Sequence, residues 1–138
     1  MYCWRGTLEA NALAGGNARL RIRTRLTVWN WCGDIEQASQ IAALLVENAV
    51  RHSGIPRYGR LRICLAVLGT NELTVDVMDP HPHFPGFEEA VMWEPRPGET
   101  PRGLYLARCY GAQVTYRSAE DGSGKTVQAL IKPTVESA

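Results

Sequence analysis

The sequence predicts an α+β domain of two layers, with helices packed on one face of a mixed, mostly antiparallel sheet. Three observations predict it. A stretch free of Gly and Pro from Ile35 to His52 carries apolar residues at helical spacing. Two pairs of alternating segments, around residues 61–77 and 114–131, are each joined by a short polar turn that favours antiparallel pairing. The order strand, two helices, two strands, long loop, helix, two strands gathers the helices into one layer.

With 138 residues and 15.3 kDa, residues 1–138 read as a single domain able to bury its own core. Hydrophobic residues at 45% and charged residues at 21% exclude a disordered or coiled-coil chain. A net charge of +1 gives no general attraction to nucleic acid or to an anionic membrane. Cys3, Cys32, Cys64 and Cys109 form no CxxC pair, so reduced and mostly buried thiols are expected. No apolar run approaches the roughly 18 to 20 residues that span a bilayer, and MYCWRGTLEA does not read as a signal peptide. The expected location is the cytoplasm.

CWRGTLEA reads as a first strand, and ALAGGN as a flexible turn. In ARLRIRTRLTVWNW, Ala18, Ile22, Leu26 and Trp29 recur on one helical face, with Gly33 as the break. Arg19, Arg21, Arg23 and Arg25 then spread around that helix as a solvated surface or a dock for an acidic partner. Asp34 is a good N-cap for the next helix, with Gln37 three residues on. Its stripe is Ile35, Ala38, Ala42, Leu45 and Ala49, and Ser53-Gly54-Ile55-Pro56 ends it. Strands follow at Leu61–Val67 and Leu73–Val77 across Gly69-Thr70-Asn71. Residues 79–102 then hold six prolines and two glycines, the signature of a lid or binding loop. A short helix from Arg102 to Tyr110, ended by Gly111, precedes the strands VTYRSA and KTVQALI. Residues 133–138 read as a frayed tail.

Polar groups in unusual company occur at Glu47-Asn48-Ala49-Val50-Arg51-His52, at Asp79, in the loop, and at Gly124-Lys125-Thr126. Each has an ordinary reading alone. An Asn near a helix end is commonly a solvated or capping residue, and an Asp before Pro is commonly a turn residue. His81 and His83 have no clear third metal ligand.

The order of these features resembles the histidine kinase-like (GHKL) ATPase superfamily, and most closely its small bacterial branch of anti-sigma-factor serine kinases. Residues 44–52 read LLVENAVRH, where that branch typically has ELVTNAVRH, and the resemblance runs from about Ala18 to Ile131. It implies the Bergerat ATP-binding fold, with residues 80–102 as the ATP lid and with ATP and Mg²⁺ as cofactors. Asn48 matches the Asn that holds Mg²⁺, a hard cation that suits an amide oxygen. His52, one turn on, is placed to reach a phosphate. Asp79 in VDVMDP matches the carboxylate that accepts a hydrogen bond from the adenine amino group. The family's DxGxG is absent here, and the first glycine after Asp79 is Gly86. PRGLYLARCYGAQV matches the second glycine box, so that Gly103 and Leu104 would open a helix whose N–H groups receive phosphate, with Gly98 and Arg102 closing the lid. GKTV at 124–127 resembles the closing strand, where Thr126 would meet adenine directly or through water. Lys125 reads equally as part of that site or as a solvated strand-end charge.

One departure concerns catalysis. The general-base Glu of the family's kinases sits four residues before the Asn, and here that position is Leu44. Positions 44 and 48 lie about 40° apart around a helix, whereas Glu47 is about 100° from Asn48, so Glu47 is no geometric substitute. It reads as an i to i+4 partner of Arg51. The resemblance therefore implies a regulatory Mg-ATP-binding protein whose partner is a sigma factor or its anti-anti-sigma antagonist, with serine kinase activity left open at Leu44. It implies no direct nucleic-acid contact, and it admits a homodimer in which Trp4, Trp29 and Trp31 cover an interface. The competing reading is a nucleotide-independent interaction module with a degenerate ATP site. A detached histidine-kinase catalytic domain ranks third, for want of a dimerising His-bearing helix.

Overall fold

A computed structural model describes residues 2–52 and 59–134. Five strands, β1 (Tyr2–Glu9), β2 (Arg60–Val67), β3 (Leu73–Asp79), β4 (Gln113–Ser118) and β5 (Lys125–Ile131), form one sheet in the order β1-β2-β3-β5-β4. All four pairings among the described residues are antiparallel. β3 and β4 run in the same direction, but β5 inserts between them. The described residues also form four helices, α1 (Ala14–Val28), α2 (Ile35–His52), α3 (Phe87–Met92) and α4 (Gly103–Cys109).

Alternation decides which face is the core. Leu61, Ile63, Leu65 and Val67 of β2, Leu73, Val75 and Val77 of β3, and Val127, Ala129 and Ile131 of β5 are buried. The residues between them, such as Cys64, Asp76, Thr126 and Gln128, are only half-buried on the other face. There Gln128 Nε2 donates to Asp76 Oδ1 at 2.8 Å. α2 lies over β3 and β5, and α1 packs along α2 toward β1.

α1 starts four residues earlier than the periodicity suggested, because Ala14-Gly15-Gly16-Asn17 is helical and not a flexible turn. A Cβ on Gly15 would lie 2.4 Å from Glu47 Oε1 and 2.6 Å from its Cγ, so the glycine is where α1 passes close to α2. Ala18, Ile22 and Leu26 are fully buried, as the stripe predicted. The helix ends before Gly33, at Asn30, whose φ of 52° is left-handed. Asn30 N–H donates to Thr27 O and Trp31 N–H to Leu26 O, both at 3.1 Å, a Schellman closure with Asn in place of Gly. Trp31 is thereby turned inward, buried, with its Nε1 donating to Asn71 O at 2.8 Å. It is core, not interface cover. Trp29 lies stacked under Tyr2.

The arginines of α1 are less free than a solvated surface implies. Arg19 and Arg23 pair with Glu36 of α2, Arg21 donates to Thr7 O, and Arg25 sits over the Trp4 ring. The hydrogen bond from Arg19 holds the Glu36 carboxyl below the usual range, so this exposed tie is fully present above that range and is lost as pH falls beneath it through the lowered value.

Asp34 caps α2 as expected, its Oδ1 accepting from Gln37 N–H at 2.9 Å. The expected end of that helix at Ser53-Gly54-Ile55-Pro56 lies outside the described residues. The β2–β3 turn closes with Leu68 N–H to Glu72 O at 2.8 Å, and Asn71 takes a left-handed φ of 67°. α4 ends in a second Schellman closure at Gly111, φ 91°. The cysteines are free, but Cys3, Cys32 and Cys109 are exposed and not buried, lying on the outer sheet face, in the α1–α2 turn and at the end of α4.

Two substitutions test this account by urea denaturation. Asp34→Ala removes the cap of α2 and is expected to cost about 1 kcal/mol. Gly124→Ala is expected to cost at least about 1–3 kcal/mol, because its Cβ would stand 2.2 Å from the backbone oxygen of Asp79.

Candidate functional site

α2 is buried along Ala38, Ala42, Leu45 and Ala49, which leaves Leu44 and Asn48 half-buried beside that stripe and Arg51 and His52 exposed in the last turn. These four, with Glu47, form one wall of a cleft of about 730 Å³. The opposite wall is Glu89, Ala90 and Trp93 at α3, and Arg102, Gly103 and Leu104 at the start of α4. A smaller pocket of about 340 Å³ shares Asn48, His52 and Ala90 with it and is closed by His83, Phe84, Gly86 and Lys125. The two form one continuous depression under the loop that joins β3 to α4.

The loop is itself structured. It contains the six-residue α3, which the proline-rich composition concealed. Phe87 and Val91 turn inward at i and i+4, and Ala90 N–H donates to Gly86 O at 2.8 Å. Phe84, Phe87 and Tyr116 form an aromatic cluster with ring centroids 4.7 to 5.7 Å apart, which fixes the start of the loop to β4. At the other end, the Arg102 guanidinium lies 5.1 Å over the Trp93 ring, and Arg108 Nη1 donates to Val91 O at 2.7 Å.

At the smaller pocket, β3 and β5 pair so that Asp79 stands opposite Lys125 on the inner face of the sheet. Lys125 Nζ lies 3.0 Å from Asp79 Oδ1 and 2.9 Å from Oδ2, with side-chain exposures of only 4% and 0%. Asp79 Oδ1 also accepts from His81 N–H at 2.8 Å. The ammonium has further neighbours in His81 O at 3.5 Å and the Phe84 ring at 5.4 Å. The solvated reading of Lys125 is therefore corrected. Removing one partner of a pair so buried typically costs about 3–5 kcal/mol, because the other charge is stranded.

Asn48, His52, Arg102, Gly103 and Leu104 meet at the large cleft, although the Leu104 side chain itself is core. Gly86 borders the smaller pocket at a left-handed φ of 74°. Gly98, φ 90°, is exposed and borders neither cavity. Asp79 does not line the cleft, and borders instead a third cavity of about 290 Å³ with Gly124, Lys125 and Thr126. Thr126 is not brought to the cleft either, because it alternates with Lys125 and pairs with Met78 on the opposite face. Glu47 packs over Gly15 at the cleft edge, and among the described residues it forms no ion pair with Arg51. His81 Nδ1 is 2.8 Å from His83 O, so it pins the loop, and no group of three metal-ligating side chains gathers among the described residues.

Sequence reasoning passed over Phe84, Glu89 and Trp93 and left Lys125 undecided. For Lys125 the signal was present. Val127, Ala129 and Ile131 are the inward set, and position 125 belongs to it by parity. For the loop residues no periodicity exists to read.

Chemically, the large cleft combines an amide (Asn48), three basic side chains (Arg51, His52, Arg102) and two carboxylates (Glu47, Glu89). A guanidinium fork and an amide oxygen suit a phosphate group and a hard cation respectively.

No protein-family model matches the sequence, and no curated protein matches it. Among solved structures, the RsbU and RsbW domains of Rv1364c from Mycobacterium tuberculosis match with a TM-score of 0.67 at 17% identity, covering 99% of this chain and 34% of that one. The blue-light activated histidine kinase EL346 of Erythrobacter litoralis matches with a TM-score of 0.50 at 19% identity, covering 72% and 30%. The chain thus spans about a third of the length of these proteins, and at such identities the likeness is one of fold. Element order, antiparallel sheet and these neighbours together show that the chain has a histidine kinase-like (GHKL) fold.

Proposed function

We propose that this chain is a regulatory nucleotide-binding module that takes a magnesium-complexed nucleoside triphosphate such as ATP in the cleft between α2 and the loop, and that it binds a protein of transcription control. The observation that carries this reading is the convergence of Asn48 and His52 from α2 with Arg102 from the start of α4 on one cleft, in a GHKL fold. Asn48 would hold Mg²⁺ through its amide oxygen, and Arg102, steadied by Trp93, would take phosphate oxygens. Magnesium supplies charge neutralisation of the triphosphate when bound. The residues fit that triphosphate end. They do not fit adenine recognition, because the Asp79 carboxylate is already held by Lys125.

Leu44 lies in the cleft wall beside Asn48 and offers no carboxylate there. A positioned general base is worth about 10²–10⁴ in rate, so the reading is of a binding module in which any serine phosphotransfer is slowed by that factor. The RsbW likeness supports a sigma factor or its anti-anti-sigma antagonist as the partner. A nucleotide-independent interaction module is favoured by one specific observation, the closed Asp79–Lys125 pair.

Calorimetric titration with a non-hydrolysable ATP analogue tests the site. Binding in the order of micromolar to submillimolar is expected, dependent on Mg²⁺ and weakened about tenfold or more in Asn48→Ala. No binding at millimolar nucleotide would remove the nucleotide from the proposal. The partner claim is read by capturing a sigma factor or antagonist with and without Mg-ATP. A nucleotide-gated module changes that affinity, because a ligand shifts an equilibrium only through differential affinity for its states. Equal capture would favour the nucleotide-independent module.

A further inference from the structure

The smaller pocket ends on a lysine where the reading above would put a base, and the surroundings of that lysine determine what the pocket can recognise. Lys125 Nζ is held by both oxygens of Asp79 at 3.0 and 2.9 Å, approaches His81 O at 3.5 Å, and faces the Phe84 ring. Asp79 borders neither the smaller pocket nor the large cleft, whereas Lys125 borders the smaller one. A base entering from the cleft therefore meets the lysine and Phe84 before the Asp79 carboxylate. The ammonium already stands in the donor position in front of Asp79, the position that an exocyclic amino group would need.

We propose that Lys125 is the specificity-determining residue of the cleft: by holding the Asp79 carboxylate it withdraws the acceptor that would read an amino group, so nucleoside triphosphates bind without selection of the base. This rests on the nucleotide reading of the cleft. Discrimination between bases comes from buried polar groups that a wrong base leaves unpaired. Here the Asp79 carboxylate is held against the Lys125 ammonium, with Oδ2 buried and without a hydrogen-bond partner of its own, so neither adenine nor guanine is read by it. Affinity then resides in the triphosphate, on Asn48, His52 and Arg102.

The test compares Mg-bound non-hydrolysable ATP and GTP analogues and Mg-tripolyphosphate on the wild-type chain and on Lys125→Thr. In the wild type the two nucleotides are expected to bind within about threefold of each other. Lys125→Thr keeps a residue suited to a strand and uncovers the carboxylate, which is expected to tighten ATP about tenfold or more while leaving GTP unchanged. Because that variant strands a buried charge, a second measurement uses the wild type alone. The chain has two lysines, Lys125 and the exposed Lys132, so an amine-reactive label followed by mass spectrometry reads Lys125 against an internal control. Lys125 is expected to stay protected with and without saturating Mg-ATP. A wild-type preference for ATP over GTP of about tenfold or more, or labelling of Lys125 on ATP binding, would overturn the specificity proposal and leave the nucleotide site standing. Failure of all three ligands to bind either protein would overturn both.

Discussion

β3 and β5 pair in a register that sets Val75 opposite Ala129, Val77 opposite Val127 and Asp79 opposite Lys125, and the rest of the molecule depends on that register. The side-chain period of a strand is two, so a slip of one residue would turn Val127, Ala129 and Ile131 to the exposed face and take the core with them. Burying those three residues therefore also buries Lys125. A charge carried inward by its neighbours needs a partner of opposite sign at the same level of the sheet, and Asp79 is the residue across from it. The ion pair follows from the packing of the apolar residues above it.

α2 is constrained in a similar way from the other layer. Its apolar stripe must cover β3 and β5, and Gly15 lets α1 come close on one side. The turns left over, at positions 44, 48, 51 and 52, face the loop that joins β3 to α4. That loop is long because the chain must cross from β3 to the far edge of the sheet before β5 returns between them. Topology thus creates both the cleft and its cover, and the aromatic cluster of Phe84, Phe87 and Tyr116 ties the cover down.

Where a periodic pattern existed, the sequence was readable. Alternation located β2, β3 and β5, the helical stripes located α1 and α2, and the Asp34 cap marked the start of α2 within a residue. The two-layer arrangement with one helical face followed from element order. Less legible were features that depend on contacts between distant residues. Gly15 and Gly16 looked like a turn, because nothing local announces that α2 will pass there. α3 was hidden among prolines, since six residues are too few to show a period. At the site, Asn48, His52, Arg102 and Gly103 line one cleft. Lys125, equally readable as a site residue or a solvated charge, is buried beside the smaller pocket, and Thr126 lies on the opposite face, although parity along β5 contained the answer.

The two ends of the depression obey different physics. At the α2–α4 end, half-buried and exposed groups such as Asn48, Arg51 and His52 remain in contact with solvent and free to take a charged ligand at modest cost. At the β3–β5 end, Asp79 and Lys125 are sequestered and paired in charge, and a buried charge pair of this kind resists opening because separating it strands one ion in a poorly solvated place. Gly124 reinforces this, since the absence of a Cβ lets β5 begin hard against the Asp79 carbonyl. Any ligand that needed the Asp79 carboxylate would have to break an ion pair. A ligand that needed only the other end would leave that pair intact, and so charge complementarity at the open end, not hydrogen-bond readout at the closed one, is where affinity has to arise.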